Sequence, residues 1–389
     1  RTDANADKST WVVRNGPIGV FDDAANFDYN YQDVAEAGRK GVSFTNAVSW
    51  LGFTDHYWLA ALIPSKGSAT QGDLTGNFRG LGDNIFQSEL LYGTEIVAPG
   101  QTVSQQSMMF AGAKETELLD DYVDEKHIKL LDRAVDWGWF IWFEKPIFKL
   151  LSWLFSQVGN FGVAIILLTI IIRGLMFPVA QKQFGSMAQM RAVQPKMKKL
   201  QERYKDDKPK LQQEMMALYK KEKVNPLAGC LPMFLQIPIF FALYKVLLLS
   251  IEMRHQPFAL WIKDLSAPDP ATPINLFGLL PFTPPHILAI GVLPIILGFT
   301  MWLQFKLNPQ ATDPVQQQVF SIMPWVLMFV MAPFAAGLQL YWTVSNIMTI
   351  CQQKWLYSRH PQLKEQMAIE AAEKAEKQRA KAEDAKGKA

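Results

Sequence analysis

Between residues 11 and 111 the chain alternates short apolar and polar stretches, among them 41–46, 57–63 and 102–110, with Gly, Asn, Asp and Pro turn residues between them. That pattern predicts a β-sandwich. From 118 to 134 the period changes: Leu118, Tyr122, Leu130 and Leu131 recur among acids and lysines, the pattern of a connecting helix. Residues 137–158 are dense in Trp and Phe but carry Glu144, Lys145, Pro146 and Lys149, which predicts an amphipathic helix lying at the headgroup level of a bilayer. Long apolar runs follow at 160–179, 231–250 and 287–305, each close to the ~20 residues that a hydrocarbon layer requires. Residues 315–353 hold no charge at all. As one helix they would reach roughly 58 Å, almost twice the hydrocarbon core, so the break at 333–337 predicts two further spans, 319–331 and 337–356. The first of these is short and is expected to begin before Val319.

The fold class expected is therefore a polytopic α-helical membrane protein with five transmembrane helices and an N-terminal β-sandwich domain. Its segments are a β domain at 1–117, a connector with the interfacial helix at 118–158, a five-helix core at 159–357 and a charged tail at 358–389. The segment 181–225 is longer than a connection requires. Met187, Met190, Val193, Met197, Leu200 and Tyr204 repeat near 3.5 residues, as do Leu211, Met215 and Leu218 after the break at 206–209. This predicts a helical hairpin at 187–223, with Pro195 kinking its first helix or starting a new one. Two roles fit: apolar stripes packed on each other, or a basic docking arm for a partner.

Charge adds the orientation. Residues 1–142 carry 11 Lys/Arg against 20 Asp/Glu, so the formal net charge of +3 conceals an acidic front half. The segment 181–225 carries 12 Lys/Arg against five Asp/Glu, whereas 252–285 contains only Arg254 and Lys263 as basic residues. The positive-inside rule makes the hairpin cytoplasmic, and five spans then put the C-terminus inside and the β domain outside. The tail beyond Pro361, with seven basic and six acidic residues, reads as a solvated helix or disordered segment. Contact with ribosomal RNA is a candidate role for it, weakened by the near balance of charge. The two cysteines, Cys230 and Cys351, flank apolar runs and form no disulfide framework. The chain starts at Arg1 without an initiator Met or signal peptide, which predicts that an N-terminal segment has been removed.

Arg173 lies inside the apolar run 161–177, which is otherwise uncharged. A charge at the centre of a membrane helix costs about 2.5 to 3.5 kcal/mol on insertion scales, so such a residue faces a polar cavity, a partner or a pathway. The alternative is snorkelling toward an interface roughly 12 Å away. Thr169 is one turn earlier on the same face, Gln236 is the polar residue of the next apolar run, and Gln339, Thr343 and Asn346 recur at i, i+4 and i+7 in the last, flanked by Trp342. Interhelical hydrogen bonding accounts for any one of them. An arginine with amide and hydroxyl neighbours but no intramembrane carboxylate points instead to a ligand that supplies the counter-charge. Catalysis finds no support: no phosphate loop, CxxC pair or HExxH occurs, and Ser345 lacks a glycine-rich setting and a pairing with His286. No cofactor or metal site is expected. A transporter would require an internal duplication and paired broken helices, neither of which is visible.

Gly159-Asn160-Phe161-Gly162, Ile172-Arg173-Gly174, Ser186-Met187-Ala188, Met190-Arg191, Gln194-Pro195-Lys196 and the run from Gln213 to Lys220 together resemble the YidC/Oxa1/Alb3 family of membrane-protein insertases. So do the run from Lys223 to Leu227, Gln236-Ile237-Pro238-Ile239-Phe240, Pro257-Phe258-Ala259-Leu260-Trp261 and Val344-Ser345-Asn346. Trp50, His56-Tyr57, Ile63-Pro64 and the run from Pro99 to Thr102 are similar to the periplasmic domain of its Gram-negative members. The resemblance implies a groove in the inner leaflet with Arg173 as its positive residue and Thr169, Gln236, Tyr341 and Trp342 lining it, beside the sequence candidates Gln339 and Asn346. It implies a hairpin that recruits clients, through Met187, Arg191, Met197, Tyr204, Met215 and Tyr219. It further implies a bacterial inner-membrane location, a missing N-terminal signal anchor, and partners among nascent membrane proteins, lipid, a Sec translocon, the ribosome and the signal recognition particle receptor, with no small-molecule substrate. An assembly factor acting only beside a Sec-type channel is the alternative, and a small-solute transporter is third. Trp342 where members often have Tyr, Lys245 near the end of the second span, and the long loop at 273–285 depart from the family pattern.

Overall fold

The computed structural model describes residues 13–45, 48–64, 74–204, 207–222, 231–277, 280, 282, 289–307 and 314–359. The expectations for the tail after Pro361, for Cys230 and for His286 lie outside these residues. The chain divides into two compact units, one of residues 1–147 with 245–254 and one of 148–244 with 255–389.

Among the described residues of the first unit, eight strands form two antiparallel sheets. One holds β1 (Gly16–Phe21), β2 (Ala24–Asn26), β4 (Val48–Thr54), β5 (Trp58–Pro64) and β8 (Ser107–Ala113) in the order β2-β1-β4-β5-β8. The other holds β3 (Val42–Phe44), β6 (Thr75–Gly82) and β7 (Ile85–Leu91) in the order β3-β6-β7. Phe21, Val48 and Leu51 of the larger sheet and Phe78 of the smaller share one core with Val34 from α1 (Tyr31–Ala37), and Phe44, Phe53, Leu62, Phe86 and Leu90 pack against it. Period-2 alternation sends Trp50 to the opposite face from Leu51. There its indole N–H donates to the Lys129 carbonyl at 3.1 Å, so β4 is buried on both faces. The third expected strand begins at Ser107 rather than at 102. The connector is helical in two pieces, α2 (Thr116–Asp124) and a 3-10 turn at Leu131–Ala134, separated at His127 and Leu130, which both adopt positive φ.

The segment expected at the interface is a 3-10 turn, Gly138–Phe140, followed by α3 (Ile141–Val158). Trp142 and Trp153 stay exposed on it while Phe148, Leu151 and Leu154 are buried, so the helix is two-faced. The remaining helices are α4 (Phe161–Leu175), α5 (Phe177–Arg203), α6 (Lys208–Glu222), α7 (Leu231–Leu249), α8 (Val292–Leu307), α9 (Pro314–Met331) and α10 (Ala336–Arg359).

Among the described residues no single helix is long and apolar enough to cross a membrane; the pair Phe161–Leu175 and Phe177–Met187 passes that test together, bent by 65°. The first apolar run therefore ends earlier than expected, at Leu175 instead of 179. Pro178 cannot donate to the helical ladder and restricts Phe177 before it, so the chain turns at Met176 and α5 starts there. Pro195 lies inside α5, which continues through it without a second start. The third run is helical from Val292, after the non-helical residues 289–291, and the helix of the fourth runs from Pro314.

Candidate functional site

The second unit is organised by contacts between sequence motifs that lie far apart. Asn160 caps α4: its side-chain oxygen accepts the Val163 N–H at 3.0 Å, and its amide donates to the Phe258 carbonyl at 2.9 Å. Phe258 in turn lies over Gly162, where a Cβ would come within 2.1 Å of the ring. The glycine is thus required by close approach, and the start of α4 is pinned to the segment 257–261.

Farther along α4, Arg173 does not extend toward the helix end. Its Nε donates to Ser345 Oγ at 3.1 Å, Nη2 donates to the same oxygen, and Nη2 also donates to Gln236 Oε1 at 3.0 Å. Gln236 Nε2 donates to Tyr341 Oη at 2.9 Å. One guanidinium therefore joins α4, α7 and α10 through neutral acceptors, and among the described residues it has no carboxylate partner and Nη1 carries no hydrogen bond. A hydrogen bond involving a charged group is worth about 1.5–3 kcal/mol net. Two such acceptors hold the fork in place while its charge stays uncompensated. Trp342 flanks the cluster, its ring 4.9 Å from Phe240, which stacks on Tyr244 at 6.2 Å.

The sequence candidates divide into those that meet here and those that do not. Arg173, Gln236 and Tyr341 are bonded into one network, and Trp342 lies beside it. Thr169 is fully buried but its hydroxyl donates to the Ile165 carbonyl of its own helix at 2.7 Å. Gln339 is engaged elsewhere: its amide donates to the carbonyls of Met331, Ala332 and Phe334 at 2.9, 3.3 and 2.7 Å and closes the turn between α9 and α10. Asn346 donates to Thr300 Oγ1 of α8 at 3.3 Å. The physical reason is helical phase. Tyr341 and Ser345 are one turn apart and share a face, whereas Gln339, Thr343 and Asn346 follow a different stripe of α10. Ser345, the principal partner of Arg173, was weighed in sequence only as a nucleophile and is absent from the groove candidates; its spacing of four from Tyr341 is the signal that places it here.

The hairpin places its candidates mostly inside itself. Met187 is buried with Phe184 and Tyr357, against Ala180 and Leu356. Val193 and Met197 form a second cluster on which Met190, Met215, Leu218 and Tyr219 pack. Tyr204 ends α5 beneath the Lys210 ammonium, 5.6 Å from its ring centre, and Lys196 pairs with Glu222 at 2.7 Å. The Arg191 side chain lies outside the described residues. Met216 is left exposed.

Comparison with known proteins identifies the family. Residues 153–364 match the family described as 60Kd inner membrane protein, and residues 1–150 match the YidC periplasmic domain. A relative named "Membrane protein insertase YidC" from Zymomonas mobilis subsp. mobilis is 51% identical over 352 residues, covering 90% of this chain and 60% of that protein. Proteins of the same name from Methylobacterium sp. and Brucella suis biovar 1 are each 47% identical, over 357 and 354 residues, covering 90% of this chain and 57% of theirs. The chain thus spans about 60% of the length of the curated relatives it matches. A solved structure titled as an active YidC insertase is 20% identical with a TM-score of 0.46, covering 80% of this chain and 70% of that one.

Proposed function

The chain belongs to the 60Kd inner membrane protein family, with a YidC periplasmic domain ahead of that region, and from that premise we propose that it is a membrane protein insertase of the bacterial inner membrane. It lowers the barrier for hydrophobic client segments to pass from water into lipid and catalyses no covalent chemistry. The observation that carries this reading is the Arg173 guanidinium, held by Ser345 and Gln236 with no counter-carboxylate among the described residues. A fixed cation of this kind attracts an acidic client tail, and the adjacent hydroxyl and amide groups offset part of the desolvation that the tail undergoes on entry. Arg173, Gln236, Tyr341 and Trp342 form the groove wall, and Thr169 lies one turn away on α4. Binding stays weak because Trp342 and Phe240 beside the cluster offer non-directional apolar contact to many segments.

The apolar helices are the proposed spans, with α4 and the first turns of α5 forming one bent span. The β domain is periplasmic and the hairpin and C-terminus cytoplasmic, in keeping with the loop charges. The hairpin meets clients through Met216 and its basic face, since Met197, Met215 and Tyr219 are engaged in holding it together. Nascent membrane proteins are the clients; a Sec translocon, the ribosome and the signal recognition particle receptor are the proposed partners.

The test is reconstitution of the purified chain in liposomes with one small client whose translocated tail is made acidic or neutral. Insertion of the client without Sec is expected, reduced more by Arg173→Ala than by Arg173→Lys, and more for the acidic tail. No insertion unless a Sec channel is present would favour an assembly factor. Insertion untouched by Arg173→Ala for both tails would remove the groove charge from the mechanism.

A further inference from the structure

Lys245 is a charged residue near the C-terminal end of an apolar helix, and its surroundings in the first unit are built. Its ammonium lies 3.9 Å from Asp136 Oδ1, the oxygen that accepts the Gly138 N–H at 3.0 Å. Gly138 has φ +65, and a Cβ there would sit 2.6 Å from Lys245 Nζ, so the glycine both forms the turn and leaves the opening that the ammonium fills. Glu144, in the first turn of α3, is 3% exposed, and its Oε2 has no hydrogen-bond partner among the described residues. Lys245 and Asp136 are the charges that face it. Asp136 also faces Arg14 and Lys114, while the neighbouring Lys145 is engaged by Asp120 and Asp132 at 2.6 and 3.0 Å. Burial pushes the Glu144 carboxyl up to about 7, with Lys245 pulling it down and Asp136 adding to the rise.

We propose that Glu144, Lys245 and Asp136 form a proton-operated tie between the end of α7 and the turn that leads into α3. An ionised Glu144 attracts the ammonium that Asp136 also faces, and the 3.9 Å between Lys245 and Asp136 is longer than the ~2.7–2.9 Å of a direct charge-assisted hydrogen bond, which leaves Lys245 room to close on Asp136. When Glu144 takes a proton from water its claim on Lys245 ends. Lys245 then closes on Asp136, which already fixes the Gly138 turn, and the tie tightens; loss of the proton reverses this. The device is independent of the insertase reading, because it concerns only how these two segments are held.

The test is hydrogen exchange of the full chain in lipid nanodiscs over residues 135–140 and 245–250, comparing wild type with Glu144→Gln at the same pH. At pH 8 the variant, which mimics the protonated acid, is expected to exchange about threefold more slowly or better; at pH 5.5 the two should coincide. Lys245→Met should abolish the difference at pH 8, and unchanged exchange in β4 and β5 certifies that each variant is folded. Infrared difference spectra between pH 5.5 and 8 should show a protonated carboxyl band that Glu144→Gln removes. Equal exchange at pH 8, a difference that survives Lys245→Met, or no such band overturns the proposal.

Discussion

Ser345→Ala removes one oxygen and tests how the groove charge is held. Ser345 accepts from both Nε and Nη2 of Arg173, and each bond with a charged donor is worth about 1.5–3 kcal/mol. Gln236 Oε1 remains, 3.0 Å from Nη2, so the guanidinium loses one of its two anchors and keeps the other. If half of one such bond, about 1 kcal/mol, had served to hold the fork in its working orientation, insertion of an acidic-tailed client falls roughly fivefold. The charge itself remains, so the neutral-tailed client should lose less than half as much. Gln236→Leu removes the second anchor, and because the two residues hold one side chain, the double variant should depart from additivity by about 0.5–3 kcal/mol. The assay is initial insertion rate in liposomes at equal protein density, both tails, all four proteins. Additive losses, or equal losses for acidic and neutral tails, would refute the claim that Ser345 acts by positioning Arg173.

Gln339→Leu strips the amide that three carbonyls share at the turn between α9 and α10; thermal unfolding in detergent should show a loss of about 2–4 kcal/mol, with client preference unaltered. Gly162→Ala places a methyl about 2 Å from the Phe258 ring, a clash that should cost about 1–3 kcal/mol and be relieved in part by a second change, Phe258→Leu, in the same unfolding measurement. For Glu144 the folded state binds its proton more tightly than the unfolded chain. Its contribution is therefore fully present below pH 4.5 and is lost as pH rises toward 7, by on the order of 2 kcal/mol. Denaturant unfolding of Glu144→Gln should lack that component of the pH profile, and an unchanged profile would contradict the raised carboxyl.

The parts of this structure that were legible in sequence are those set by short-range pattern. The pattern at 57–63 was enough to find β5, and the 3.5-residue repeat of Met190, Val193 and Met197 was enough to find a hairpin, but β4, whose alternation sets Trp50 and Leu51 on opposite faces, was not among the strands expected. That repeat did not separate a self-packed stripe from a client surface, because both need the same apolar spacing; that Met215, Leu218 and Tyr219 pack on Val193 and Met197 is visible only in three dimensions. Gln339 and Asn346 were found for their polarity but belong to a turn and to α8, since polarity alone does not report helical phase relative to a neighbour. Ser345 was noticed only as an unsupported nucleophile and as part of the Val344-Ser345-Asn346 motif, because its contact with the groove charge arises from Arg173, 172 positions away. The end of α4 at Leu175 was concealed by continuing hydrophobicity through Phe177 and Val179, although Pro178 carried the information.

The two cations in apolar helices show why the residue types differ. Arg173 uses Nε and Nη2 on one serine and reaches a glutamine on another helix with the same group, which only a planar fork spans. A lysine there would keep the charge but bond to one acceptor at a time, leaving the other buried and unmet, at a cost of about 1–3 kcal/mol. Lys245 faces the opposite requirement: a compact ammonium beside Gly138, 3.9 Å from Asp136 and within the field of Glu144, can shift with a small movement of its stem. A guanidinium would overfill the space that Gly138 leaves and, bonded bidentately to one carboxylate, would no longer answer to the protonation of the other. Exchanging the two types should therefore damage each site in its own way, Arg173→Lys lowering the preference for acidic tails and Lys245→Arg removing the pH response of the segments around Gly138 while leaving that preference intact.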